Sequence, residues 1–122
     1  MIEQMLAYNR EFVKSEAYKQ FQTSKYPDKK IAILTCMDTR LVELLPAALG
    51  IRNGDVKMIK NAGGMITGPF DSAVRSLLVG IVELGVEEVW TGHCTGAPAY
   101  ELLRPVLGER LHSLSSGAVL EL

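Results

Sequence analysis

The sequence predicts an α/β fold in which helical layers cover both faces of a central, mostly parallel β-sheet, an α/β/α arrangement of three layers. Three short segments typical of strands, the first of them a continuous apolar run, alternate with two segments of helical periodicity. The order strand, helix, strand, helix, strand requires crossover connections, which make neighbouring strands parallel. A length of 122 residues, of which 48% are hydrophobic and 22% charged, favours one globular domain over residues 1–122.

The elements follow one another without a linker that would separate a second domain. Apolar residues at helical spacing predict a helix over residues 1–24, which Pro27 and Asp28 would end. The predicted strands are IAILTC (31–36), VKMIK (56–60) and EEVWTG (87–92), and the predicted helices are 41–50 and 70–86.

Several residues mark where these helices begin and end. Gly50 is a plausible C-cap of the first helix, and Pro46 within it indicates either a kink or a later start of the helix. Asp71 or Ser72 would cap the second helix, and Gly85 would end it. The caps therefore agree with the elements that the apolar pattern predicts.

The glycine-rich segment NAGGMITGP (61–69) predicts a loop between the second strand and the second helix. It allows two interpretations. The glycines permit a simple flexible turn, or they permit the backbone to approach a small anion closely. It lacks the glycine spacing of a phosphate-binding loop.

Charge and composition limit the binding partners and the cellular location that we expect for this protein. A net charge of −1 favours neither nucleic acid nor an anionic membrane surface as partner. No segment approaches the roughly 20 apolar residues of a membrane span, and the N-terminus, with its early Glu3, lacks a secretory pattern. We therefore expect a cytoplasmic protein in which Cys36 and Cys94 are free thiols or metal ligands.

The residues capable of chemistry follow the first and third predicted strands. Cys36, Asp38 and Arg40 alternate, so their side chains share a face if the chain stays extended. Arg40 would then hold Asp38 in a bidentate ion pair and keep it ionised. His93 and Cys94 supply imidazole and thiolate, both zinc donors, and the carboxyl ends of parallel strands are where ligands bind.

The combination of Cys-x-Asp-x-Arg (36–40), the NAGG loop, the helix that follows and a strand ending in Gly-His resembles the β-class carbonic anhydrases over about residues 1–93. The resemblance implies a zinc enzyme that hydrates carbon dioxide to bicarbonate and a proton, as a homodimer or higher homo-oligomer. It implies that Cys36 and His93 bind Zn²⁺. Asp38 and Arg40 would orient the attacking water, although in some members the aspartate occupies the fourth zinc position instead.

Two departures from the family pattern affect the second half of the motif. The family places its last ligand as His-x-x-Cys, whereas here Cys94 follows His93 directly and Gly96 stands three positions on. Adjacent residues of a strand point to opposite faces, so both can reach one ion only if the backbone bends. The atypical segment 94–122 has no counterpart that we identify. The chain is then either truncated or frame-altered, or a shortened relative with a C-terminal helix over about 99–114, in which His112 would be solvated.

Each site residue also has a purely structural interpretation. Cys36 alone would be a buried core thiol, Asp38 and Arg40 a structural ion pair or an N-cap for residues 41–49, and His93 an ordinary strand-end residue. Two functions therefore stay open. One is zinc-dependent reversible hydration of carbon dioxide. The other is an impaired carbonic anhydrase-like protein that acts as a dimerisation or anion-binding module. Thiol chemistry at Cys36 is a weaker third possibility.

Overall fold

A computed structural model describes residues 1–91 and 103–113. These residues form a parallel sheet of order β2-β1-β3-β4 with helices packed against it. The strands are β1 (Ile31–Cys36), β2 (Val56–Asn61), β3 (Glu88–Thr91) and β4 (Leu111–Ser113), and the longer helices are α1 (Ile2–Lys14), α2 (Leu41–Leu49) and α3 (Ser72–Glu83). The predicted α/β fold with a parallel central sheet is confirmed. Among the described helices, none is both long and apolar enough to cross a membrane.

The central strand β1 is the most buried element, because it has neighbours on both sides. Ala32 and Leu34 are fully buried and project to the same face. There they join one apolar cluster with Val89 of β3 and with Ala73 and Leu77 of α3. Ile33 is also buried but lies outside this cluster, as expected for a residue on the opposite face. This burial on both faces explains why β1 is a continuous apolar run.

The ends of α2 and α3 agree with the capping residues that the sequence predicts. Gly50 adopts the left-handed conformation (φ 65°) after α2, and Pro46 lies inside that helix, so a start of the helix at Pro46 is ruled out. The side chain of Asp71, not that of Ser72, caps α3 by accepting the backbone N–H of Val74 at 2.8 Å. Gly85, with φ 75°, follows the end of α3.

The N-terminal helix is shorter than predicted. α1 ends at Lys14, and a separate 3₁₀ turn spans Ala17–Phe21. Glu16 between them has left-handed backbone angles (φ 61°), which an α-helix cannot contain. The single helix predicted over 1–24 is therefore wrong, because the apolar spacing continues through a break that the backbone makes at Glu16.

The C-terminal part also differs from the predicted single helix over 99–114. Residues 103–107 are helical, Gly108–Arg110 form a 3₁₀ turn, and Leu111–Ser113 form β4, parallel to β3. Leu103, Leu107 and Leu111 all join the apolar cluster of the domain. The segment beyond the resemblance thus contributes a fourth strand and part of the core.

Candidate active site

Cys36 is the last residue of the central strand and has a free, half-buried thiol. On one side it pairs with Asn61, the last residue of β2. On the other side β1 pairs with β3, where the last described pair is Leu34 with Thr91. The thiol therefore lies at the carboxyl edge of the sheet, where the sequence predicts the site.

Asp38 and Arg40 form the predicted ion pair just beyond Cys36. Arg40 Nη2 donates to Asp38 Oδ2 at 2.6 Å, and Arg40 Nε lies 3.0 Å from Oδ1 and 3.2 Å from Oδ2. Arg40 also donates its backbone N–H to Oδ1 at 2.8 Å. The sequence predicts that this pair forms on an extended chain, but the backbone turns here. Arg40 takes helical angles directly before α2.

The turn also tests the proposal that Asp38 caps the helix. The residue that precedes α2 is Arg40, and its side chain makes no capping hydrogen bond. The carboxylate of Asp38 instead accepts the backbone N–H of Arg40, two residues on, which is an Asx-turn ahead of the helix. Asp38 is therefore held by Arg40 and does not serve as the N-cap of α2.

This pairing sets the charge state of the carboxylate. The side-chain hydrogen bonds from Arg40, with its backbone N–H next, lower the pKa of Asp38 to about 2. The same ion pair raises the pKa of Arg40, and Cys36 adds a smaller electrostatic contribution in the same direction. Arg40 is exposed, whereas the Asp38 side chain is only 29% exposed. Asp38 is consequently a fixed, ionised acceptor over the ordinary pH range.

The NAGG segment is held by the side chain of its first residue, Asn61, a role that the glycine pattern alone does not indicate. Asn61 Nδ2 donates to the carbonyl of Met65 at 2.8 Å, and Asn61 Oδ1 accepts the N–H of Met65 at 2.8 Å. Between them Ala62–Gly64 form a 3₁₀ turn with Gly63 at φ 82°. The segment is therefore a defined turn whose two ends Asn61 joins, and its binding of a small anion stays a prediction. An asparagine followed two and three residues later by glycines, here Asn61 with Gly63 and Gly64, is the pattern that could have indicated such a turn.

Of the four candidate zinc ligands, only Cys36 and Asp38 lie within the described residues. Thiolate and carboxylate are both zinc ligands, so Cys36 and Asp38 suit the ion. His93 and Cys94 lie outside the described residues. Within residues 1–91 and 103–113, no group of three or more His, Cys, Asp or Glu side chains could hold a metal ion.

His112 is placed differently from the solvated position predicted for it. Its ring stacks on Trp90 with centroids 4.4 Å apart, and Nε2 lies 3.5 Å from Glu88 Oε2. Its side chain is 35% exposed. His112 therefore anchors β4 to β3 through a ring contact.

Comparison with known proteins identifies the family. No family model matches the chain. YtiB of Bacillus subtilis (strain 168), a protein provisionally named as a carbonic anhydrase, is 55% identical over 89 residues, which are 73% of this chain and 48% of YtiB. The crystal structure of β-carbonic anhydrase isoform I from Trichomonas vaginalis covers 77% of this chain and 53% of its own, with 39% identity and a TM-score of 0.67. That of carbonic anhydrase from Streptococcus mutans covers 84% of this chain and 67% of its own, with 30% identity and a TM-score of 0.52. The chain belongs to the β-carbonic anhydrase family.

The chain matches only part of the length of its relatives. The chain spans about half the length of the curated relatives that it matches, 48% in the case of YtiB. The structure places Cys36 at the end of β1 and Asp38 and Arg40 in the connection to α2, and these residues form the first part of the motif that carries the resemblance.

Proposed function

We propose that this β-carbonic anhydrase relative catalyses the zinc-dependent, reversible hydration of carbon dioxide to bicarbonate and a proton. The observation that carries the proposal is the clamped Asp38–Arg40 pair two residues beyond Cys36 at the carboxyl edge of the sheet. A surface ion pair of this exposure adds little to stability. Its geometry is better explained by a carboxylate that must keep one orientation.

The register of β1 and β3 supports Cys36 and His93 as zinc ligands. Leu34 pairs with Thr91. Cys36 lies two residues after Leu34, and His93 lies two residues after Thr91, so the same register continued would set them side by side. Neighbouring strands are about 4.8 Å apart, which suits two donors with zinc bonds of about 2.3 Å for sulfur and 2.0 Å for nitrogen.

The third protein ligand is Cys94 or Asp38 in this proposal. An extended strand would direct Cys94 away from the face of His93, so its participation requires a bend of the chain. Asp38 is occupied by three N–H groups of Arg40, which opposes its turning to a metal ion. We therefore favour Cys94 as the third ligand, with Asp38 free to orient water.

Hydrogen-bond capacity explains what Asp38 would do. A carboxylate has about four acceptor positions, and the backbone N–H, Nε and Nη2 of Arg40 take three of them. One position stays available to accept a hydrogen bond from the attacking water, which would direct the lone pair of that water toward carbon dioxide. Bound zinc would supply the Lewis acidity by which water loses a proton near neutral pH. Arg40 keeps Asp38 ionised and in place throughout.

Zinc content and hydration rate together test the proposal. Protein purified after growth with zinc should contain about one zinc per chain by plasma mass spectrometry, and Cys36→Ser should lose it. Asp38→Asn should keep the zinc and lose most of the hydration rate in a stopped-flow assay, since its amide cannot replace an ionised acceptor. Asp28→Asn, an exposed change before β1, is the matched control and should leave both unchanged. Wild-type protein without zinc would refute the enzymatic proposal.

The direct succession of His93 and Cys94 favours a second candidate, an impaired relative that acts through dimerisation or anion binding. Wild-type protein that holds zinc but shows no hydration would support it. Sedimentation would then test whether the chain forms the homodimer or higher homo-oligomer that we propose for either function. Cys94→Ser separates the two ligand sets, because it removes zinc only if Cys94 is a ligand.

A further inference from the structure

Asn61 ties the glycine loop to the end of β2 through both ends of its side-chain amide. Nδ2 donates to the carbonyl of Met65 and Oδ1 accepts its N–H, each at 2.8 Å. We propose that Asn61 is a positioning residue of the candidate active site, whose side chain holds loop 62–65 as a fixed wall beside Cys36. This inference rests on the hydration function proposed above.

The chemistry of these two bonds specifies an amide. Aspartate could accept the N–H of Met65 but would repel its carbonyl, and alanine would make neither bond. The loop needs such a constraint, because Gly63 and Gly64 have φ angles of 82° and 59° and glycines alone hold no single conformation. A Cβ at Gly63 would lie 3.1 Å from Met65 Cγ, so the backbone there lies close to the side chain of the residue whose backbone Asn61 binds.

The same residue connects the loop to the strand that carries Cys36. Asn61 pairs with Cys36 across β1 and β2, and its carbonyl accepts the N–H of Met37 at 2.9 Å. The turn Ala62–Gly64 packs against β1, and Gly64 is buried. The side chain of Asn61 therefore fixes the loop while its backbone fixes the first residue after Cys36.

This arrangement places the loop on one side of the thiol. β2 and its loop flank Cys36 on one side, and β3 flanks β1 on the other. If the loop opened, the thiol would become more accessible, and the segment from Cys36 to Asp38 would lose its support at Met37. Small displacements of catalytic groups cost large factors in rate, so loosening this wall should lower turnover more than substrate affinity.

Two measurements on metal-free protein test the positioning role without relying on activity. In Asn61→Ala, the amides of residues 63–65 should exchange with solvent at least tenfold faster than in wild type. Cys36 should be alkylated several-fold faster at neutral pH. Asn61→Asp, which keeps one of the two bonds, should fall between the two proteins.

Asn53→Ala is the matched control, because it also removes a hydrogen bond from an asparagine side chain to a backbone carbonyl, that of Phe21. It should change neither the loop exchange nor the alkylation of Cys36. In zinc-loaded protein, Asn61→Ala should lower kcat about tenfold while KM and zinc content change little.

Failure of this inference differs from failure of the proposed function. Wild-type loop exchange and wild-type alkylation in Asn61→Ala would overturn the inference, as would equal increases in Asn53→Ala. Absence of hydration by the wild-type protein would overturn the proposed function alone, since the exchange and alkylation results still decide whether Asn61 holds the wall beside Cys36.

Discussion

Replacement of Asp71 by alanine tests how the segment between β2 and α3 is stabilised. Oδ1 caps α3 through the N–H of Val74 at 2.8 Å, and Oδ2 accepts the N–H of Thr67 at 2.7 Å and its hydroxyl at 3.2 Å. Loss of an N-cap costs about 1 kcal/mol, and loss of the charged bonds to Thr67 adds about 1–2 kcal/mol. We expect Asp71→Ala to lower the free energy of unfolding by about 2–3 kcal/mol. At about 2.1 cal/mol/K per residue, this lowers Tm by about 10 °C.

Urea unfolding followed by circular dichroism measures this difference, with Ser72→Ala as the control at the position that does not cap. Burial tends to raise the pKa of Asp71, but the bonds from Val74 and Thr67 outweigh it, and the pKa lies below its ordinary value. The stabilisation is therefore present at neutral pH and is lost as pH falls below the ordinary aspartate range near 4. Surface changes without structural effect alter the free energy of unfolding by up to about 0.5 kcal/mol. If the free energy of unfolding of Asp71→Ala differs from the wild-type value by no more than this at pH 7, the assignment of the cap is refuted.

Two further changes test the site and the C-terminal strand. Arg40→Gln should raise the pKa of Asp38 from about 2 toward 3.8, because the side-chain bonds from Arg40 are the main cause of the depression; carboxyl carbon NMR in metal-free protein measures it, and an unchanged pKa would contradict the clamp. His112→Ala should lower the free energy of unfolding by about 1 kcal/mol through loss of the ring stack. It should also shift the emission of Trp90, which is the single tryptophan, whereas identical emission and stability would show that the stack does not hold β4.

The parts of the fold with strong periodicity could be predicted from the sequence. The continuous apolar run of β1 follows from burial on both faces, and the wide apolar face of α3 from its packing on that sheet. The Asp38–Arg40 pair could be predicted from the two side-chain types alone. Its geometry could not, because the alternation of Cys36, Asp38 and Arg40 predicts an extended chain, whereas the backbone turns at Arg40.

The remaining differences have local causes. Glu16 breaks α1 through its backbone angles, which no apolar pattern reports. β4 has only three residues, too few to show an alternation, and its place in the sheet follows from pairing with β3, which the sequence pattern does not report. The two hydrogen bonds between the Asn61 side chain and the Met65 backbone form only when the loop folds back to Met65, which is a property of the folded chain.

The order β2-β1-β3-β4 leaves two outermost strands in the described sheet. An outermost strand is the kind of template on which another chain can add a strand and begin aggregation. β2 carries Lys57 and Lys60, and β4 is only three residues long. Positive charge and brevity both discourage such pairing, so each outer strand of the described sheet has a feature that opposes growth into larger sheets.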